Sequence, residues 1–458
     1  TLTLADVGGT ATLSADVDVT TLTVGNTVLN LAFTGNGSSV VNAVAFANDG
    51  TLTLGTSGGQ QNYNGGLTTT GVGGTVTLAG SIDSSDDVMT FGAITLAAAT
   101  TLDTNANFTG DTTIGAVTGN NNNLTLDTTA TTGSADHTFT GDINLGSGAL
   151  SVTGDAVLGA NITITATGGI DFNDAINADN ASSNDRTLTL DSGTGSTITV
   201  DGTIGSAQAL AGLTITQSNG ATFSGDIDIS DSSSGTITIT DTEDNANVNF
   251  NGNLTTDNFT NAATGYDLLF ACGPFGACTF TNAVTFQNTG TLTLGTITGD
   301  TFTFNGGVTE NTSGTVTVDG AITSSNDAIV FGAITLGDSV TINTNATNGT
   351  GDITIGAVTG NNHNLTLTTE NNINNADVTA SGAISGVIGA YLLIWPRANI
   401  RVFYWLFFFI GTLHVPAFLV LGSKPRSKSA NYGSGFLPSQ FQGTVLRDAG
   451  EPILNLSN

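Results

Sequence analysis

Along most of this chain, apolar and polar residues alternate in short runs. TLTL at 51, TVTL at 75, VMTFGAITL at 88, TTIGAV at 112, NLTL at 123 and NITITAT at 161 place Leu, Ile, Val or Phe between Thr, Ser or Asn. A period of two puts the apolar side chains on one face of an extended strand. Gly, Asn and Asp fill the breaks, where they supply positive φ or side-chain-capped turns. The pattern predicts an all-β fold, a right-handed parallel β-solenoid (β-helix) of stacked short strands. In that fold Leu52, Leu54, Val76, Phe91, Ile114 and Ile355 point inward, and each buried side chain contributes roughly 1.5 to 3 kcal/mol. A series of β-sandwiches has the same short strands and turns and is the competing architecture.

The pattern is also duplicated. Residues 41–129 and 281–369 are nearly the same text, with VNAVAFANDGTLTLG returning as TNAVTFQNTGTLTLG at an offset of 240. SSDDVMTFGAITL returns as SSNDAIVFGAITL, and TTIGAVTGNNNNLTL as ITIGAVTGNNHNLTL. A long-period duplication of this kind indicates modular growth, with stacking between repeats supplying the interface energy. Open strand edges at the ends of such a stack favour end-to-end self-association.

Composition divides the chain. Up to Ala380 there are 35 acids and one base, Arg186; from Ser381 onward there are six bases and only two acids, Asp448 and Glu451. The net charge of −30 excludes a phosphate-tracking surface and so argues against a nucleic-acid partner. Cations, neutral glycans or a cell-surface protein fit such a surface better. The domains expected are an acidic repeat region over 1–379, an apolar segment over 380–422 and an irregular polar tail over 423–458. The start TLTLADVGGT has neither an initiating Met nor a leader pattern, and is read as lying inside a longer protein.

Candidate chemistry within the repeats is sparse. Gly55-Thr56-Ser57-Gly58-Gly59 fits G-x-S-x-G, but a nucleophile elbow needs a helix leaving it and a histidine base. His137 and His363 stand apart and are expected at the surface, since a metal site needs three or four converging ligands. Cys272 and Cys278, in CGPFGAC, leave two readings open, a short-loop disulfide or two free thiols. Acids in turns, as in SIDSSDD and DTEDNANVN, are expected to be solvated. Calcium is the one cation they would suit, although no calcium-loop text is present, so no cofactor is expected. A lyase of acidic polysaccharide needs bases that this region lacks. A glycosidase needs two carboxylates at a set separation and an aromatic sugar platform, and only the acids are present. Paired threonines such as Thr51/Thr53, Thr75/Thr77 and Thr187/Thr189 resemble the ladders of ice-binding solenoids. Thr is also simply a good strand former on a wet face.

The repeated G-T-L-T-L-G text, Phe304 to Val308 and Phe331 to Leu336 resemble the repeats of large bacterial surface proteins of the filamentous-haemagglutinin and autotransporter-adhesin kind. That resemblance implies an exported, extracellular or cell-surface, non-catalytic adhesive scaffold. Residues Ala380 to Tyr391, followed by Pro396-Arg397-Ala398, resemble the catalytic-serine helix of rhomboid intramembrane proteases. Ser381 falls on the family's nucleophile, with Thr379 in place of the opening glycine. No matching histidine follows, and His414 does not fit the family's text. A serine without its base is a weak nucleophile, so an inactive remnant or membrane anchor through 383–421 is expected, built of one or two short apolar helices. The tail from Asn431 resembles a secreted sulfatase or alkaline-phosphatase-like family whose metal-binding residues lie outside this stretch. The expected function is that of a structural or adhesin-like fragment. An incomplete rhomboid-like protease and an ice- or glycan-binding solenoid are the alternatives.

Overall fold

In a computed structural model of the chain, the described residues are 1–104, 110–128, 136–179, 186–230, 234–273, 276–311, 314–345, 351–369 and 376–380. Beyond these, the short strands named below are described. No α-helix occurs among them, and no helix is long and apolar enough to cross a membrane. The architecture is a parallel β-solenoid of about 15 turns, divided into two compact units, Thr1–Glu243 and Asp244–Asn458.

Each turn of the first unit has three sides built of strands, two of them covered by one long strand in turns such as that of Leu52–Tyr63, and the strands pair in parallel with their counterparts on the next turn. Leu52–Tyr63 pairs with Val76–Asp83 through Leu52↔Val76 and Leu54↔Leu78, and Val76–Asp83 pairs with Ile94–Asp103 through Val76↔Ile94 and Leu78↔Leu96. The third side is a seven-stranded sheet running from Val44–Ala45 through Leu67–Thr68, Met89–Phe91, Thr112–Ile114, Asp136–Phe139 and Asp155–Leu158 to Ile176–Ala178. In-register parallel pairing stacks like on like, so the aliphatic positions form continuous interior columns. Leu52, Leu54, Val76, Phe91, Ile114 and Ile355 are all buried, as the alternation requires.

The second unit repeats the plan. Val316–Ser324 pairs with Ile334–Asn343 through Val316↔Ile334 and Val318↔Leu336, and both this pairing and its first-unit equivalent shift register at one glycine, Gly320 and Gly80. These glycines have φ of +74° and +75°, and a Cβ at Gly320 would fall against the carbonyl of Asp300 on the preceding turn. Only glycine tolerates both conditions. The core here is richer in aromatic rings: Phe250 stacks on Phe270 at 5.0 Å and Phe280 on Phe304 at 4.8 Å.

The apolar segment differs from expectation. Ile384–Ser385, Ala390–Leu392, Asn399–Leu406 and Phe409–Pro416 are strands rather than helices, the last two forming an antiparallel pair. The text VFYWL is dense in aromatic and β-branched residues, which favour extended backbone, and an unpaired row of strand donors on the preceding turns offers Ile384–Ser385 parallel partners at Val358 and Thr359. Within the tail, Gln442–Thr444 and Asn455–Ser457 pair antiparallel.

Candidate functional site

The outward positions form columns as regular as the core. On the first unit Thr53, Thr77, Thr95 and Thr118 lie in register on four successive turns; on the second, Thr293, Thr317, Thr335 and Thr359 do the same. Parallel strands stack about 4.8 Å apart, so each column is an evenly spaced row of hydroxyls. Asn side chains extend the order. Asn30 Oδ1 accepts from Thr51 N at 2.9 Å, and Asn123 Oδ1 from Ala149 N at 2.9 Å, each tying one turn to the next.

One open depression interrupts the first unit. Asp136, Asp155, Val157, Asn177, Asp179 and Gln208 line it. Asp136 and Asp155 are directly opposite each other on adjacent strands. Burial, reinforced by the negative charges of Asp111 and Asp155, pushes the Asp136 carboxyl up to about 6. Asp179 is engaged by Arg186, whose Nε and Nη2 donate to its two oxygens at 2.9 and 2.7 Å. Asn177 Oδ1 accepts from the backbone of Ala207 at 2.9 Å. Carboxylates and amides of this kind can accept hydrogen bonds from hydroxyl-rich ligands, and no aromatic ring is among the lining residues.

The candidates read from the sequence are placed as follows. Ser57 is exposed within strand Leu52–Tyr63, with no helix after it. Ser381 lies outside the described residues. Cys272 and Cys278 are joined by a disulfide and buried, with Cys278 in the core column between Leu254 and Phe302. His363 is at the surface, 3.4 Å from Asp338. His137 overturns the expectation of a surface imidazole. It is fully buried; its Nε2 lies 3.0 Å from the carbonyl of Thr153 and its Nδ1 has no partner. Burial holds its pKa down to about 4, partly offset by the Thr153 carbonyl and Asp174. The signal was present in ADHTFT: Phe139 faces the core, and a period of two carries His137 to the same face.

Several acids expected to be solvated are also buried, among them Asp83, Asp257, Asp300, Glu310 and Asp319. Asp83 accepts from Gln60 Nε2 and Ser81 Oγ, and burial still raises its pKa. Among the described residues no group of three or more His, Cys, Asp or Glu side chains is placed so that it could hold a metal ion. Comparison with protein-family models, with curated proteins and with solved structures finds no match for this chain.

Proposed function

We propose that this chain is a non-catalytic structural repeat region of an extracellular or cell-surface protein, serving as a scaffold and adhesive face. The observation that carries the reading is the pair of in-register outward threonine columns, Thr53 to Thr118 and Thr293 to Thr359, each flanked on its own strands by inward-facing aliphatic residues such as Leu52, Val76, Leu292 and Val316. Such a surface repeats one hydrogen-bonding pattern along its length, which suits a repeated ligand such as a glycan chain. The Cys272–Cys278 bridge fits an oxidising compartment, where disulfides persist. The open depression at Asp155 and Asn177 supplies a place where a sugar hydroxyl could be held more specifically. The test is binding of the full chain to a panel of cell-surface glycans at physiological salt, beside an Asp155→Ala/Asn177→Ala variant. Saturable binding weakened in the variant supports the reading. An unbound panel, together with serine-directed fluorophosphonate labelling that disappears in Ser381→Ala, would replace it with a protease.

A further inference from the structure

The open depression of the first unit holds like charges that its described neighbours do not neutralise. Asp111, Asp136 and Asp155 stand one turn apart at the heads of Thr112–Ile114, Asp136–Phe139 and Asp155–Leu158. Asp136 pairs directly with Asp155, and the Thr112↔His137 pairing sets Asp111 beside Asp136. Asp111 Oδ1 accepts from Asp136 N at 3.2 Å, and Asp155 Oδ1 from Ala175 N at 3.1 Å. The Asp136 carboxyl receives no hydrogen bond or ion pair from any described residue, and its rise to about 6 follows from burial and the two neighbouring charges. Arg186, the one base of the repeat region, is committed to Asp179.

A separate observation on another strand points into the same depression. Asn177, which lines it, is only 8% exposed. The backbone N–H groups of Ala207 and Gln208 donate to its Oδ1 at 2.9 and 3.4 Å. These two donors fix which end of the amide is oxygen, and Nδ2 is left without an acceptor among the described residues. A nearly buried N–H is costly to leave unmatched, so this one calls for an acceptor from outside the chain.

The absent partner must therefore bring a positive charge and an acceptor together. The acids are not placed to hold a metal ion, and a neutral hydroxyl would leave the carboxylate charges uncompensated. An ammonium group carries one charge and three donors that can reach separate carboxylates. A sugar hydroxyl beside it accepts as well as donates. Val157 and Ala178 add apolar lining against which ring C–H groups can rest.

We propose that the depression at Asp136, Asp155 and Asn177 binds a hexosamine with a free amino group. The ammonium lies between the two carboxylates, and a neighbouring hydroxyl accepts from Asn177 Nδ2. This rests on the glycan-binding reading and narrows it to a cationic sugar. The second unit supplies a matched control: Asp352 Oδ1 accepts from Asp377 N at 2.8 Å, and Ile353↔Val378 repeats the Thr112↔His137 pairing, so Asp377 occupies the position of Asp136.

The experiment is calorimetric titration of the full chain at pH 7 with a glucosamine tetramer and, separately, with its fully N-acetylated form. About 0.15 M sodium chloride screens diffuse attraction to the acidic surface. The expected result is saturable binding of the free amine at least tenfold tighter than that of the acetylated sugar. Asp136→Asn and Asp155→Asn, which keep side-chain shape and the Asp155 bond from Ala175, should each weaken binding of the amine at least fivefold, while Asp377→Asn leaves it unchanged. Equal affinity for the two tetramers, or an equal loss in Asp377→Asn and Asp136→Asn, overturns the cationic-sugar proposal and leaves the glycan reading standing. Displacement of the tetramer by butylammonium at the same concentration also overturns it, because charge alone would then be recognised. If neither tetramer nor any other glycan binds, both readings fall.

Discussion

Blocks 41–129 and 281–369 hold the same backbone plan with different fillings. Gly55, Gly66 and Gly80 have φ of +78°, +81° and +75°; Gly295, Gly307 and Gly320 have +85°, +83° and +74°. Asn48 and Asn288 are both buried, and each donates its side-chain amide to the turn carbonyl of Thr51 or Thr291 at 2.9 Å. What differs comes in matched sets. In the first block Gln61 and Tyr63 form a polar pair inside the core: Gln61 Nε2 donates to the Phe33 carbonyl at 2.8 Å and Tyr63 Oη to Gln61 Oε1 at 3.0 Å. The same positions in the second block are Phe302 and Phe304, with Ile82 and Ile322 as their in-register neighbours. Thr112 and His137 lie opposite each other in the first unit, where the second has Ile353 and Val378. The lesson is that turn chemistry and register define the coil, while the residues filling it are free to change provided partners change with them.

The largest expected effect breaks the aromatic side of this comparison. Phe304→Ala removes a fully buried ring stacked on Phe280 and should cost about 3 to 5 kcal/mol, read from the urea midpoint of unfolding.

Next comes His137→Val, which installs the residue of the second unit. The imidazole titrates near 4 in the fold against 6.5 ordinarily, so the unfolded chain takes up the proton first as pH falls. The parent should therefore lose stability between about pH 6.5 and 4, by up to about 3 kcal/mol relative to His137→Val. Asp136 acts in the opposite direction, since its carboxyl is raised to about 6 and the folded state gains its proton first, but it is common to both proteins and cancels in the difference. Parallel stability curves for the two proteins from pH 7 to 4 would refute a buried neutral imidazole.

Reduction of the Cys272–Cys278 bridge, which lies just before the second block and has no cysteine counterpart in the first unit, should lower stability by roughly 2 kcal/mol through the loop-closure entropy of a short ring. Thermal unfolding with and without reductant measures it. The smallest effect sharpens the comparison most. Gly337→Ala alone forces its new Cβ against Asp319 and should cost about 1 kcal/mol or more, whereas the same change in an Asp319→Ala background should cost nothing. Equal cost in both backgrounds would mean that the glycine and the acid are not coupled.

Much of the core was legible because alternation carries over directly into facing. Leu52, Leu54 and Val76 needed only the period of two. Asp319 did not follow the same logic. Counting by twos from Val318 sends it outward, but the bulge at Gly320 breaks the count and turns Asp319 into the wall, an event that depends on the Gly295–Asp300 loop and the turn above. The apolar segment failed for a related reason: a run such as VFYWL is compatible with helix or strand by hydrophobicity alone, and the neighbouring strands decided.

The chain text by itself determined that strands of period two, punctuated by Gly and Asn, would coil with aliphatic rows inward, and that two long blocks would do so alike. These are local properties, written in side-chain type and backbone freedom. Only the tertiary structure decided which polar groups came to lie together: Gln61 with Tyr63, His137 beneath Thr153, Asp319 beside Asp300 and Asp338. Apart from Gln61 and Tyr63, those neighbours are 16 to 19 residues apart in the chain, brought together by the pitch of the coil and its bulges.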